Sequence, residues 1–248
     1  MIYFVSDTHL GAGSPDEARR TEQALCRWLD SIADDASAIY FMGDIFDFWF
    51  EYNRVVPEGF TRVLGRLATM HDRGVELHFF VGNHDMWARS YLEAECGVRM
   101  HYTPEVVTLA GRRVHLAHGD NMNIKGQPML RLMNGFFRSG VARWLFRWLI
   151  HPDLAMKFGH WWSGKSRKSH SKEGITPQNL NFLIDYAREH HSSAEGTDTY
   201  IFGHMHLAHD HREDGLRVLF MSDWSGETAT YARMDDEGHV ELKTFTIG

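Results

Sequence analysis

Five short clusters of carboxylate, amide and imidazole side chains stand out in the sequence, most of them beside a glycine. Such groups cost free energy to bury unless they share a partner, so a common partner is expected. Nitrogen and oxygen donors suit Mn, Fe, Zn or Co ions and disfavour soft Cu(I). Each cluster alone also fits a surface turn or a helix cap. The clusters are Asp7-Thr8-His9, Gly43-Asp44, Gly82-Asn83-His84-Asp85, His118-Gly119-Asp120 and Gly203-His204-Met205-His206.

An apolar run precedes each cluster and predicts a buried strand, and amphipathic patterns between the runs predict helices. This order predicts an α/β fold, with a mixed sheet or two sheets packed together and helices on the faces. Because ligands bind at the carboxyl ends of strands in open α/β sheets, we expect the clusters to meet at one edge. The predicted strands lie at 2–6, 38–42, 75–81, within 105–118 and at 199–203, the helices at 15–34, 60–74, 86–95 and 177–191, and further antiparallel strands at 208–248.

The length of 248 residues predicts a single domain over 1–248, with room for an insertion. Two cysteines, Cys26 and Cys96, do not form a disulfide framework, which favours a cytoplasmic protein. The first residues lack the pattern of a signal peptide, and no apolar run approaches the length of a membrane span.

Residues 121–172 form a basic, aromatic segment that predicts a helical insertion. They hold ten Lys/Arg and one acidic residue, a charge of +9, while the remaining 16 basic and 32 acidic residues carry −16. The segment also holds four of the eight tryptophans. Two sets of apolar residues fall at helical spacing, namely Met129, Leu132, Met133, Phe136 and Phe137, then Val141, Trp144, Leu145, Trp148 and Leu149.

Several interpretations of this insertion stay open. One interpretation is an amphipathic helical hairpin packed on the core. The other is a lid or an element that binds the membrane surface. A nucleic-acid patch would also be basic and aromatic, but the charge of −16 elsewhere opposes a long polyanion, so no nucleic acid is expected. Lys165, Arg167 and Lys168 are candidates for contacting phosphate or diphosphate, with a solvated loop as the equal alternative.

The five clusters occur in the order D-x-H, G-D-x-x-D, G-N-H-D, H-G-D and G-H-x-H, which resembles the calcineurin-like metallophosphoesterases over roughly residues 1–245. The resemblance implies the metallophosphoesterase fold, an α+β sandwich of mixed sheets with flanking helices and a helical insertion. It also implies two divalent metal ions, with Mn²⁺ expected first and Fe, Zn, Co or Mg as alternatives. One ion would be held by Asp7, His9, Asp44 and His206, the other by Asp44, Asn83, His118 and His204, so that Asp44 bridges them.

The resemblance gives His84 a catalytic role, in which it contacts the phosphate or protonates the leaving oxygen. Asp85 is the second catalytic candidate, because it could accept the other ring N–H of His84; it could also cap the following helix. Asn83 and His204 are further candidates for contacting the substrate. Asp47 is expected to be structural.

A closer resemblance is to the UDP-2,3-diacylglucosamine hydrolases of lipid A synthesis, through the placement of the insertion and the segment GDIFDFW at 43–49. It implies cleavage of a lipid-linked nucleotide to UMP and 2,3-diacylglucosamine 1-phosphate, with acyl chains accepted by the insertion. It also implies a peripheral position on the cytoplasmic face of the inner membrane. The best-known branch of that family has arginine where this chain has His84. The alternatives are a soluble metallophosphoesterase for another nucleotide or phosphodiester, and a non-catalytic scaffold. The sequence does not assign an oligomeric state.

Overall fold

The computed structural model describes residues 1–122, 135–136, 139–172, 176–193 and 197–248, and for 165–172 it describes the backbone alone. The predicted helical spacing at Met129, Leu132, Met133 and Phe137 therefore lies outside the described residues. The same holds for the side chains of Lys165, Arg167 and Lys168, the predicted phosphate contacts.

Eleven strands and six helices occur in the described ranges, with a 3₁₀ turn, Pro177–Leu180, leading into the last helix. The strands are β1 Ile2–Val5, β2 Ala38–Phe41, β3 Glu76–Phe80, β4 Val98–His101, β5 Glu105–Leu109, β6 Arg112–Ala117, β7 Thr197–Phe202, β8 His209–Glu213, β9 Leu216–Phe220, β10 Thr228–Met234 and β11 Val240–Thr246. The helices are α1 Pro15–Ile32, α2 Thr61–Asp72, α3 Tyr91–Cys96, α4 Gly140–Leu149, α5 Pro152–Lys172 and α6 Asn181–Ser193.

The strands form two mixed sheets, which confirms the predicted fold class. The first has the order β11-β10-β1-β2-β3-β4, in which β1 to β4 are parallel and β10 and β11 are antiparallel to their neighbours. The second has the order β5-β6-β7-β9-β8, with β6, β7 and β9 parallel. Each sheet therefore contains a group of parallel strands, and a ligand site can form at the carboxyl ends of those strands.

Three apolar clusters hold the layers together. One lies between the two sheets, where Phe4, Tyr40 and Ile201 are buried. Another packs α1, α2 and α3 on the outer face of the first sheet around Trp28 and Phe79. The third packs α6 on the second sheet. The result is a four-layer helix–sheet–sheet–helix arrangement, because each sheet has two apolar faces to cover.

Two local predictions were wrong. The helix expected at 86–95 starts only at Tyr91, because residues 82–90 form a loop in which Trp87 bridges to Phe50. The four-residue strand β4 was not predicted, since its alternation is short and Arg99 within it is exposed. By contrast, α1 begins as predicted at Pro15, after a capping box between Ser14 and Glu17.

The segment predicted to be an insertion contains α4 and α5. Helix α4 packs on Phe50 and Trp87 through Phe146 but fully buries none of its residues, and most of its other apolar side chains face outward. No helix in the described part of the chain has the length and apolar character needed to cross a bilayer. The large apolar side chains exposed on the two helices are Val141, Trp144, Leu145, Trp148, Leu149, Leu154, Phe158, Trp161 and Trp162.

Candidate metal centre

Each predicted ligand lies just past the carboxyl end of a parallel strand. Asp7 and His9 follow β1, Asp44 follows β2 and Asn83 follows β3 in the first sheet. In the second sheet His118 follows β6, and His204 and His206 follow β7. The structure brings these seven side chains together at one edge, where the two sheets meet.

Backbone hydrogen bonds hold the loops in register. The amides of Asp7 and His9 donate to the carbonyls of Gly43 and Asp44, at 3.1 and 3.0 Å. The amide of Gly203 donates to the carbonyl of His118 at 3.0 Å. The amide of His204 donates to the Asp7 carboxylate at 3.0 Å and so links the two sheets. The site is therefore built from loops tied to one another as well as to their strands.

One group of donor atoms is formed by Asp7, His9 and His206. The Nε2 atoms of His9 and His206 are 3.1 Å apart, and His206 Nε2 is 3.4 Å from Asp7 Oδ1. His9 Nε2 is 4.0 Å from the same oxygen. Ligand atoms of all three residues lie within 4.8 Å of one another, a spacing that fits one shared cation.

A second group is formed by Asp44, Asn83, His118 and His204. His118 Nδ1 is 2.8 Å from the carbonyl of Met42, which can only accept, so Nδ1 carries a hydrogen and Nε2 is turned toward the other donors. That Nε2 lies 3.2 Å from Asp44 Oδ2 and 3.3 Å from Asn83 Oδ1. His204 completes a group with Asp44 and His118. Asp44 also groups with His9 and His84, so it stands between the two sets.

Glycines beside the ligands make this crowding possible. A Cβ on Gly82 would overlap the Asp44 carboxylate. A Cβ on Gly43 would lie 2.5 Å from His118 Nδ1, and one on Gly203 would lie 2.7 Å from Asp7 Oδ2. The glycines of the sequence clusters are thus needed because the ligands approach the backbone closely.

Five of the seven predicted ligands have left-handed backbone conformations. Positive φ is uncommon outside glycine and, where the surroundings enforce it, often marks a functional site. Only three other non-glycine residues in the described ranges share it, and none of them is a predicted ligand. The five are Asp7, His9, Asp44, His204 and His206, with φ of 54°, 45°, 53°, 67° and 54°.

Burial and neighbouring charges set the protonation of the site. Burial lowers the pKa of His9 and of His204 to about 3, so both rings are neutral. Burial opposes the charge of Asp44, but the adjacent His118 and His84 rings hold the pKa of that carboxyl well below its ordinary value. Burial also disfavours charged His118, yet the Asp44 carboxylate holds its pKa well above the ordinary value.

The donor set fits a divalent cation. His9 Nδ1 is buried without a hydrogen-bond partner among the described residues, and imidazole nitrogens face carboxylate oxygens across short gaps. Metal ligands must be deprotonated, and His9 and His204 already meet that condition. Burial disfavours charge, yet the carboxylates of Asp44 and Asp7 raise the pKa of His118 and His206, so these two rings would release a proton on binding a cation. Nitrogen and oxygen donors of this kind suit first-row divalent ions.

His84 and Asp85 have different surroundings. His84 Nδ1 is 2.9 Å from the carbonyl of Asp47, and its Nε2 is 3.8 Å from Asp44 Oδ2. The prediction that Asp85 accepts the second N–H of His84 differs from the structure. The Asp85 carboxylate instead accepts the amides of Gly82 and Ile45, at 2.7 and 2.8 Å. It thereby fixes the loop around the site, and burial with the nearby Asp44 charge raises the pKa of Asp85 to about 7.

One neighbour of the site was missed in the sequence. Asp223 follows β9, the third parallel strand of the second sheet, and its Oδ2 is 3.9 Å from His206 Nδ1. The signal was present, because an apolar run, LRVLF, ends just before it. It was overlooked because the tail was interpreted only as antiparallel strands.

The arrangement of loops, donors and sheets is that of a metal-dependent phosphoesterase. The family model of the calcineurin-like phosphoesterases matches residues 1–208, and the chain belongs to this family. Membership makes the protein a metal-dependent hydrolase that uses divalent ions.

Within this family, the chain is similar to proteins named UDP-2,3-diacylglucosamine hydrolase. The chain is 42% identical over 236 residues to the UDP-2,3-diacylglucosamine hydrolase of Porphyromonas gingivalis, covering 90% of each chain. It is 29% identical to the enzyme of the same name from Neisseria meningitidis serogroup B, over 96% of this chain and 95% of the relative. Among solved structures, it is similar to a novel archaeal phosphodiesterase with a TM-score of 0.49 and 12% identity, over 98% of this chain and 99% of the other.

Proposed function

We propose that this protein hydrolyses the pyrophosphate bond of UDP-2,3-diacylglucosamine, releasing UMP and 2,3-diacylglucosamine 1-phosphate in lipid A biosynthesis. The observation that carries the proposal is the 42% identity to a UDP-2,3-diacylglucosamine hydrolase across 90% of both chains. The donor groups around Asp44, with an apolar cleft beside them, support it.

The proposed centre holds two divalent ions, with Mn²⁺ as the first candidate. Asp7, His9, Asp44 and His206 would hold one ion, and Asp44, Asn83, His118 and His204 the other. When bound, such ions polarise the phosphoryl group, lower the pKa of a water molecule and offset transition-state charge. The position of Asp44 between the two donor groups supports its role as the shared ligand.

His84 is the proposed catalytic acid for the leaving phosphate oxygen. Because a carbonyl only accepts, the contact with Asp47 assigns a hydrogen to Nδ1 and leaves Nε2 to exchange a proton. Nε2 lies on the side of Asp44, where the phosphate would bind. Asn83 and His204, at the same edge, are proposed to contact the phosphate as well. Lys165, Arg167 and Lys168 remain proposed diphosphate contacts on chemical grounds alone.

An apolar cleft adjoins His84 and Asn83 and supports a lipid-bearing substrate. Trp87 from the core loop and Phe158 and Trp162 from α5 line it. An acyl chain entering here would replace water on aromatic surface, which is favourable by roughly 25 cal/mol per Å² buried. The segment 121–172 would then act as a lid on the domain.

The exposed face of α4 and α5 supports a further part of the proposal, peripheral binding to the cytoplasmic face of the inner membrane. Trp144 and Trp148 are 58% and 66% exposed, and Leu149 is 73% exposed. The insertion also carries +9. Basic helices with outward tryptophan and leucine are suited to an anionic lipid surface.

The decisive experiment incubates Mn²⁺-loaded protein with UDP-2,3-diacylglucosamine and separates the products. We expect UMP and 2,3-diacylglucosamine 1-phosphate in equal amounts. Release of UDP, or turnover of a soluble nucleotide diester at a higher kcat/KM, would replace this substrate with another. Co-sedimentation with anionic vesicles tests the membrane part separately, with Trp148→Ala as the variant expected to weaken it.

A further inference from the structure

Helix α5 packs against the loop that follows Asp44 through its smallest residues. Ala155, Gly159 and Ser163 are spaced four apart, so they share one face, and all three are buried. A Cβ on Gly159 would overlap the ring of Phe48. The helix therefore lies unusually close to residues 47–48, and any added side-chain volume on this face would displace it.

The polar contact across this interface is made by Asp47. Its carboxylate is 1% exposed and accepts the hydroxyl of Ser163, which is equally buried. His160 Nδ1, one turn earlier on α5, is 3.3 Å from the other carboxylate oxygen. A buried carboxylate needs such partners, because an unpaired charge inside a protein is costly.

The same residue contacts both histidines beside the phosphate position. The Asp47 carbonyl is 2.9 Å from His84 Nδ1, and its Oδ1 is 4.0 Å from His9 Nδ1. His9 Nδ1 has no hydrogen-bond partner among the described residues, and the Asp47 carboxylate faces this nitrogen at 4.0 Å, without a direct hydrogen bond. Carboxylates placed behind ligating histidines fix the orientation of those rings.

We infer that Asp47 is a positioning residue that couples the docking of α5 to the orientation of His9 and His84. When α5 is seated, Ser163 and His160 hold the carboxylate of Asp47. The Asp47 carbonyl then holds the His84 ring by a hydrogen bond, and the carboxylate acts on His9 electrostatically across 4.0 Å. Displacement of α5 removes two partners from a buried anion and loosens both histidines. The insertion thus affects chemistry on substrates that never touch it, and the inference is independent of the proposed lipid substrate.

The test changes α5 alone. Gly159→Ala forces the helix away from Phe48, and Ser163→Ala removes a donor to Asp47 without adding volume. Gly65→Ala is the matched control, because a Cβ at this helical glycine in α2 meets no atom within 4 Å. Each variant of the full chain is compared with the parent by amide hydrogen exchange, by Mn²⁺ titration calorimetry and by turnover of bis(p-nitrophenyl) phosphate.

Loss of positioning behind a ligand typically weakens metal binding or activity by about 10- to 100-fold. We expect both α5 variants to bind Mn²⁺ at least tenfold more weakly, and kcat for the diester to fall while KM stays within about twofold. Exchange at 47–49 should accelerate in both. Gly65→Ala should match the parent in all three measurements.

The inference is overturned if α5 exchanges faster in Gly159→Ala while Mn²⁺ affinity stays within twofold of the parent. Mn²⁺ titration calorimetry tests the inference even if the diester is a poor substrate. If Gly159→Ala does not fold, Ser163→Ala decides alone, because it removes only one oxygen atom. Unchanged affinity in that variant would likewise reduce Asp47 to a structural residue.

Discussion

The chain carries two sets of aspartate and histidine donors in opposite surroundings. At the candidate metal centre, Asp7 and Asp44 are buried and their oxygens face imidazole nitrogens. On the turn between β10 and β11, Asp235, Glu237 and His239 also lie within ligand distance of one another. There, however, the side chains of Glu237 and His239 are 81% and 65% exposed.

The difference lies in exposure to water, because the carboxylates of both sets accept backbone amides. The Asp235 carboxylate accepts the amides of Glu237 and His239 at 3.0 and 2.8 Å, so it is occupied in closing its own turn. Water competes for the remaining donors. At the candidate metal centre the protein excludes water and leaves donor atoms facing one another. A set of donor residue types becomes a site only when the fold buries it and brings its donor atoms together.

The largest effect is expected from Asp44→Ala. Removing the carboxylate shared by both donor groups should lower kcat/KM at least ~10³-fold, since a Lewis-acid site supplies several kcal/mol of transition-state stabilisation. Metal analysis should show reduced Mn²⁺ content. His239→Ala is the matched change in the exposed set and should leave both quantities within about twofold. Equal losses in the two variants would erase the distinction between the regions.

His84→Ala tests whether His84 acts as a general acid or as a metal ligand. As an acid, His84 supplies roughly 10²–10⁴-fold in rate, so kcat should fall by that factor with metal content unchanged. The structure also places its ring within ligand distance of His9 and Asp44. A parallel loss of metal would therefore make it a ligand.

Gly82→Ala tests whether close packing sets the geometry of the buried donors. The new methyl group would collide with the Asp44 carboxylate and displace it. A misplacement of ~1 Å can cost about 100-fold in rate, so a loss of 10- to 100-fold in kcat is expected. Gly65→Ala serves again as the control. Full activity in Gly82→Ala would show that the carboxylate position is adjustable.

His115 shows what burial does to a histidine placed among aromatic rings. It is 2% exposed and packs against Tyr200, Phe202 and Tyr186. Burial, with the nearby His190, lowers its pKa from 6.5 to about 4. Between these values the unfolded chain binds more protons at this residue, so the free energy of unfolding falls as pH decreases.

The expected loss at His115 is about 2 kcal/mol between pH 7 and pH 5. His115→Phe keeps a ring in the cluster and should remove that share of the pH dependence. Urea unfolding at the two pH values measures it. An unchanged pH dependence in the variant would mean that His115 is protonated in the folded state.

The positions of these strands, and the sheet edge at which the site lies, were predictable because both follow from the local order of apolar and polar residues. An apolar run ending in Asp, Asn or His is visible in the sequence wherever β1, β2, β3, β6 and β7 end. The fold class followed from their order. The contacts of Asp47 were not predictable, since they depend on where α5 docks. Asp85 was assigned to His84 by adjacency, but neighbours along a tight loop point apart, and its carboxylate turns back to the backbone.

The left-handed backbone at Asp7, His9, Asp44, His204 and His206 has an energetic consequence. Each such residue costs about 1 kcal/mol relative to glycine in the same conformation. Backbone preference alone would favour glycine at these positions. The donor atoms that aspartate and histidine bring to the candidate centre therefore offset a backbone cost at each of the five positions.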